Sequence, residues 1–217
     1  MRCNPIINID LRGALDDNYD IFENGNIKVG RTKDKTNTYT YHRNDGSTVD
    51  LGTYDVVNNA GKDMVKIPSL GTSFSKALSN KEDYLPEDAV ADFLGATYNF
   101  YSDNDYKSKI NQFMSKDYKH SGSIVSKPCI DIEYVGTEGT SWETQPVTTS
   151  NNVDVNKSLK LAKEFIKYGW GDKTKWSILT EDALGKSLFS DYTTVSGHQN
   201  HMHIQGFDKD KVEIINK

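Results

Sequence analysis

Two short segments alternate apolar and polar residues, and they constrain the fold more than any other feature. In CIDIEYV, residues 129–135, every second residue from Ile130 is apolar, and Asp131 and Glu133 stand between them. HMHIQGF, residues 201–207, begins in the same way. A period of two is typical of a strand with one buried face. Both segments are therefore predicted to be strands of a sheet with one apolar and one polar face.

The first 65 residues are rich in Asn, Asp, Gly and Thr and contain two hairpin signals. YDIFENGNIKVGR places Asn24-Gly25 between alternating runs, and TYTYHRNDGSTVDLG repeats the pattern around Asn44-Asp45-Gly46. Such dipeptides favour tight hairpin turns. Residues 1–65 are predicted to form a β-hairpin-rich meander with little core of its own. Residues 66–217 are predicted to form the second domain, with the boundary near VKIPSLG.

Two further segments predict helices. In LPEDAVADFLG, residues 85–95, Pro86 suits the first turn, the two acids after it favour the helix dipole, and Gly95 can end the helix. In DVNKSLKLAKEFIKYG, residues 154–169, Asp154 can cap a helix with an apolar stripe, and a glycine closes it. The predicted fold class is α+β, a mostly antiparallel central sheet with flanking helices, preceded by a small β-rich segment.

Composition excludes several classes of protein. The chain has 217 residues, enough for one sizeable domain, and a formal net charge of −5 without a basic stripe, which argues against nucleic acid as a partner. No run approaches the ~18 apolar residues that span a bilayer, and MRCNPIINIDLRG lacks the apolar core of a signal peptide. Cys3 and Cys129 form neither a disulfide framework nor a zinc clip, and Cys129 is interpreted as a small buried residue. We expect a monomer.

Three of the five histidines lie in VSGHQNHMHIQGF, residues 195–207. On a strand, His201 and His203 share one face, about 6–7 Å apart, while the residues between and after them face the core. His198 lies three residues upstream and can reach the same space. One imidazole of such a group can bind a metal ion while another faces a substrate. Three histidines near a chain end are also compatible with a solvated loop.

A zinc hydrolase needs three protein ligands from His, Asp or Glu and an open position. Two upstream segments compete to complete the set. HSGSIVSKPCID offers His120 and Asp131, and HRNDGSTVD offers His42 and Asp50. The second pair can equally be cross-strand neighbours in an exposed hairpin. Glu133 shares the polar face of the predicted strand and is a substitute ligand or a residue that orients one.

The combination of His120, DIEYVG from Asp131 onward and the terminal GHQNHMHIQGF resembles the LAS-type zinc peptidases. This family contains D-Ala-D-Ala carboxypeptidases and penicillin-insensitive murein endopeptidases, with the pattern SxHxxGxAxD followed by HxH or ExxH. The resemblance covers residues 85–217. It implies that zinc is bound by His120, Asp131 and His203, and that His201 acts as a base or stabilises the transition state.

The resemblance also implies a substrate: the peptide bonds of peptidoglycan stem peptides or cross-links. His198 corresponds to the extra upstream histidine of the murein endopeptidases, and Glu133 and Gln205 would orient the metal-binding imidazoles. Two departures from the family pattern stand out. The interval from His120 to Asp131 is eleven positions rather than seven, so the loop between them must bulge, and Glu133 stands where family members often carry arginine.

A separate resemblance concerns NPIINIDLRG, residues 4–13, which is similar to the NPxxxxDPxG end of an RHS-repeat core, with Leu11 in place of the proline. Variable C-terminal toxin domains follow that point. This resemblance implies an RHS-associated effector that is secreted, or delivered to the periplasm or cell wall of a target cell, without a signal peptide of its own. An immunity protein would then be a partner.

Two other functions remain open. HQNHMH also places Asn200 among histidines, as in metal-dependent nucleases of the His-Asn-His kind, although such a nuclease needs a basic groove and the net charge is −5. The chain can also be a non-catalytic module that binds the cell wall or a protein partner and keeps a structural metal site. A filled fourth ligand position would favour that alternative.

Overall fold

The fold was analysed in a computed structural model, which describes residues 17–31, 35–59, 61–76, 83–120, 123–124, 127–137, 153–171, 178–180, 193–194 and 201–215. Within these residues the chain is mainly β with two α-helices. The strands form two large mixed sheets and one small two-stranded sheet.

The first sheet contains most of the N-terminal strands and the last strand of the chain. Its members are β1 (Asp17–Phe22), β2 (Ile27–Gly30), β3 (Thr36–His42), β4 (Thr48–Asn59), β5 (Lys62–Lys66), β7 (Tyr84–Pro86) and β15 (Val212–Ile214), in the order β15-β2-β1-β3-β4-β5-β7. Both predicted hairpins are confirmed, because β1 pairs with β2 and β3 with β4 in antiparallel register. Gly25 and Gly46 have φ of 92° and 85° in the turns, a conformation that favours glycine.

The second sheet carries the histidine-rich strand. Its members are β6 (Phe74–Lys76), β8 (Ser108–Gln112), β11 (Cys129–Glu133), β12 (Ile178–Thr180), β13 (Thr193–Thr194) and β14 (His201–Gln205), in the order β13-β12-β14-β11-β8-β6. The predicted strands at 129–135 and 201–207 are thus confirmed as β11 and β14. Beside this sheet, β9 (Lys119–His120) and β10 (Ser123–Ile124) form the small two-stranded sheet.

The expectation of a mostly antiparallel sheet is wrong in one respect, since both large sheets are mixed. Parallel pairs join β1 to β3 and β15 to β2 in the first sheet, and β6 to β8 and β12 to β13 in the second. The N-terminal strands are therefore not a simple meander. Turn residues specify only the pairing of consecutive strands, whereas a parallel pair needs a longer connection with no short local signal.

The two helices are α1 (Glu87–Asn104) and α2 (Val155–Lys167). α2 agrees with the prediction, because the Asp154 side chain accepts a hydrogen bond from the Lys157 backbone N–H and Gly169 follows the helix with a φ of 95°. α1 continues past Gly95, where the prediction ended it. A Cβ at Gly95 would lie 2.5 Å from the Tyr168 ring, so this glycine provides close packing rather than a helix end.

A single core connects the elements that carry the site. The ring of Phe93 on α1 lies 4.9 Å from Phe74, 5.1 Å from Phe113 and 6.4 Å from Phe165 of α2. These contacts join α1 to the second sheet and to α2, and the rings of Tyr98 on α1 and Tyr41 on β3, 4.6 Å apart, join α1 to the first sheet. The division into residues 1–65 and 66–217 stays a prediction; β5 spans that boundary, and β15 pairs with β2.

Neither helix in the described part of the chain is both long and apolar enough to cross a lipid bilayer.

Candidate metal centre

The site is built on the pairing of β11 with β14. In this antiparallel register, Asp131 lies opposite His203, Glu133 opposite His201, and Cys129 opposite Gln205. Cross-strand partners point to the same face of a sheet, and so do residues two positions apart on one strand. All six side chains therefore belong to one face.

The opposite face explains why this register is kept. Ile130, Ile132, Met202 and Ile204 have no exposed surface and belong to the hydrophobic core. A shift of one residue would place the histidines and carboxylates of β11 and β14 in the core and these apolar side chains outside. Burial of the apolar face thus positions the polar face.

His120 joins the group from the end of β9. Its side chain is only 6% exposed, and its Nδ1–H donates a hydrogen bond of 2.9 Å to the Phe113 backbone carbonyl. A carbonyl oxygen can only accept, so the second nitrogen, Nε2, is left for another partner. That nitrogen lies 3.1 Å from Oδ2 of Asp131.

Asp131 is at the centre of the cluster. Its Oδ1 lies 2.7 Å from His203 Nδ1 and 3.7 Å from His201 Nε2, while Oδ2 faces His120. The rings of His120 and His203 meet edge to face with 5.0 Å between their centroids. One carboxylate thus has three imidazoles around it, and the structure brings together all four residues that the sequence assigned to the metal ligands and the catalytic base.

Charge couples the members of this cluster. Burial would raise the pKa of Asp131, but hydrogen bonds from His120 and His203 and the positive charge of the imidazoles hold it well below its ordinary value. Burial would lower the pKa of His120, but hydrogen bonds with Asp131 and Cys129 and their negative charge raise it to about 10. With a pKa this high, His120 would carry a proton at neutral pH when no cation is bound, and a bound cation would displace that proton.

Cys129 is the site residue that sequence reasoning missed. Its side chain is buried, as expected, but one donor atom each from His120, Cys129 and His203 lie within 4.8 Å of one another. This group could hold a metal ion. The signal was present in the sequence, because Cys129 is two positions before Asp131 and so shares its face of the strand.

The remaining predicted residues fall into two groups. Glu133 and Gln205 are on the site face, opposite His201 and Cys129 respectively. Burial raises the pKa of Glu133, partly offset by Lys109, and its Oε2 has no hydrogen-bond partner among the described residues. His198, which was predicted to reach the site, lies outside the described residues, as does Asn200.

His42, the competing ligand candidate, lies in the first sheet. It ends β3, its Nε2 is 2.8 Å from Oδ1 of Asp20, and its ring stacks on Phe22 at 4.8 Å. Its cross-strand partner is Thr48 rather than Asp50. The structure therefore pairs His42 with Asp20 in a hydrogen bond and brings His120 to Asp131.

Comparison of the chain with protein-family models and with curated protein sequences finds no match. The resemblance to the LAS-type peptidases therefore rests on the identity of the site residues and their order along the chain.

Proposed function

We propose that the protein is a zinc-dependent peptidase that cleaves peptide bonds in peptidoglycan stem peptides or cross-links. The observation that supports this most is the convergence of His120, Asp131 and His203, with His201 beside them, despite the eleven-residue interval between the first two. These are the positions that match the ligand motif of the LAS-type family.

The donor set suits zinc. Two imidazoles and a carboxylate are a common catalytic zinc set, and His120, Asp131 and His203 would hold the ion. The hydrogen bond from His120 Nδ1–H to the Phe113 carbonyl is the outer contact that fixes a metal-binding imidazole in orientation and tautomer. Zinc, when bound, supplies Lewis-acid chemistry, which polarises a peptide carbonyl and lowers the pKa of water.

His201 is the residue we assign to proton transfer. It occupies the same face as the proposed ligands, 3.7 Å from Asp131, and its side chain is 17% exposed, more than His120, Asp131 or His203. An imidazole there can accept a proton from the attacking water and donate it to the leaving amine. Glu133 is its cross-strand neighbour, and a contact between the two side chains would orient the imidazole.

The proposed setting follows from the N-terminal resemblance to the end of an RHS core. A peptidase in that position would be the toxic part of a secreted effector that acts on the cell wall of a competitor. Peptidoglycan peptides would be its substrate and an immunity protein its partner.

One observation favours a second candidate, a non-catalytic module with a structural metal ion. Cys129 forms one group of donor atoms with His120 and His203, and Asp131 contacts both histidines. These residues could supply four protein ligands, the number typical of structural zinc sites. In that case the ion would stabilise the fold, and the polar face would bind a partner without cleaving it.

The first experiment is metal analysis of the purified wild type and of two histidine variants. We expect about one zinc per chain in the wild type, loss of zinc in His203→Ala, and retention in His42→Ala, the matched control in the other His–Asp pair. Digestion of purified muropeptides then separates the candidates: His201→Ala should keep zinc and lose cleavage. Absence of metal in the wild type after zinc reconstitution would overturn both candidates, and zinc without cleavage would leave the structural module.

A further inference from the structure

The polar face of β11 and β14 contains a donor that the resembled family's motif lacks. Cys129 lies two residues before Asp131 and opposite Gln205, so its thiol faces the same side as the histidines. It is 1% exposed, as is usual for an unreactive buried cysteine. Its neighbours, however, include two imidazoles rather than apolar side chains alone.

The distances suit coordination. In a tetrahedral zinc site, neighbouring ligand atoms are about 3.3–3.8 Å apart, as follows from metal–ligand bonds of about 2.0–2.3 Å. The donor atoms of His120, Cys129 and His203 lie within 4.8 Å of one another. Metal binding would require the more distant of these atoms to move closer, and strand pairing holds Cys129 and His203 on neighbouring strands.

The contacts among Asp131, His120 and His203 are compatible with the Cys129 sulfur as a further ligand. Asp131 contacts both imidazoles, at 3.1 Å from His120 and 2.7 Å from His203. The Cys129 sulfur lies within 4.8 Å of a ring nitrogen of each of these two histidines. Imidazole nitrogen, carboxylate oxygen and thiolate sulfur are all accepted by zinc, and a buried thiol loses its proton to solvent when it binds the ion.

We propose that Cys129 is a thiolate ligand of this centre and completes a four-ligand set with His120, Asp131 and His203. This inference rests on the metal centre of the proposed function and adds its regulation. Four protein donors would occupy all four coordination positions of a tetrahedral zinc ion. A substrate carbonyl could then bind the ion only after one donor has left. The substrate would then have to displace the sulfur before cleavage, and Cys129 would limit the activity of the wild type without abolishing it.

Cobalt substitution tests the ligand directly, because thiolate ligation to Co²⁺ produces an intense near-ultraviolet charge-transfer band that nitrogen and oxygen ligands do not produce. The wild-type protein loaded with Co²⁺ should show this band. Cys129→Ser should lose it and keep the weaker visible bands of bound cobalt. Cys3→Ser, which removes the only other cysteine of the chain, should keep it. X-ray absorption of the zinc-loaded wild type gives a second readout without any variant, with one sulfur at about 2.3 Å beside nitrogen and oxygen at about 2.0–2.2 Å.

The outcomes distinguish this inference from the proposed function. Bound cobalt without a charge-transfer band, together with a zinc shell free of sulfur, overturns the role of Cys129 and leaves the proposed peptidase intact. A band that disappears in Cys3→Ser and persists in Cys129→Ser overturns it as well. If the wild type binds neither cobalt nor zinc, the metal centre itself is wrong and both proposals fail.

Discussion

Among the residues that the structure describes, histidine meets aspartate in two regions that differ in burial and in the number of imidazoles. In the first sheet, His42 lies 2.8 Å from Asp20, with 30% and 38% of the two side chains exposed. In the second sheet, Asp131 is 9% exposed and has His120, His201 and His203 around it. The same residue types thus form a partly exposed pair in one sheet and a buried cluster in the other.

The difference in burial separates the candidate site from the His42–Asp20 pair. Water screens the exposed pair, so its contribution to stability is small. In the buried cluster, water does not screen the charges of the carboxylate and the imidazoles. Removal of one charged group therefore leaves its partner buried without compensation, at a large cost in free energy. A cation can replace the proton in the buried cluster, whereas the surface pair offers only two donors.

The largest expected effect comes from removing the central carboxylate. Asp131→Asn should lower zinc affinity by at least about 100-fold and abolish peptide cleavage, because it removes a ligand charge and the partner of two imidazoles. Asp20→Asn is the matched control in the surface pair and should leave zinc binding unchanged. Competition with a chelator of known affinity measures both. Equal affinity in the two variants would contradict the assignment of Asp131.

The second prediction concerns the pH dependence of the metal-free protein. The pKa of His120 is raised to about 10, so its contribution to the free energy of unfolding is fully present below about pH 6.5 and lost as the pH rises toward 10. The lowered pKa of Asp131 gives a contribution that is present above about pH 4 and lost as the pH falls. The cluster should therefore stabilise the metal-free protein most between about pH 4 and 6.5.

Urea denaturation of chelator-treated protein at several pH values measures this effect. Between about pH 6.5 and 10 the free energy of unfolding should fall by up to about 1.4 kcal/mol per pH unit, and His120→Gln should flatten that slope. Zinc affinity should change in the opposite direction and rise with pH, since the ion displaces a proton. Parallel stability curves for wild type and variant would show that His120 does not carry the effect.

The third prediction concerns Asp92, a buried aspartate outside the two His–Asp groups, and its effect on stability as the pH changes. Asp92 on α1 is fully buried, and neither carboxylate oxygen has a hydrogen-bond partner among the described residues. Burial holds the pKa of Asp92 well above its ordinary value. The negative charge of Asp88 raises this pKa further, and the positive charge of Lys211 lowers it. The folded state therefore keeps a proton that the unfolded chain releases, and stability is lost as the pH rises above about 4.

Asp92→Asn removes that loss, because an amide does not ionise. We expect the variant to be more stable than the wild type at pH 8 by about 1–3 kcal/mol and much closer to it at pH 4. Thermal unfolding at the two pH values measures the difference. A variant that is equally destabilised at both values would mean that the carboxylate has a fixed partner.

The smallest effect is expected in the surface pair itself. His42→Ala should change the free energy of unfolding by less than about 1 kcal/mol, because the lost pair with Asp20 is partly exposed to water and the lost ring contact is the stacking on Phe22. Chemical denaturation at neutral pH measures it. A loss of several kcal/mol would mean that the His42–Asp20 pair is as important for stability as a buried cluster.

Local patterns in the sequence predicted much of the fold. The turns around Gly25 and Gly46, the capped helix after Asp154, and the faces of β11 and β14 all follow from interactions within a few residues. The end of α1 was not predicted correctly from the sequence. The helix is buried through Phe100, so it lacks the polar stripe that marks a surface helix. Gly95 resembles a helix end in sequence and is a contact point for Tyr168 in the structure.

The sequence by itself determined toward which face of a strand the candidate site residues point. Alternation is a property of the local backbone, so Asp131, His201 and His203 could be assigned to polar faces directly, and Cys129 shares the face of Asp131. Tertiary structure alone decided that these faces coincide and that His120 rather than His42 reaches them. The reason is that strand register and parallel pairing depend on burial of Ile130, Ile132 and their neighbours against the core, which no short segment encodes.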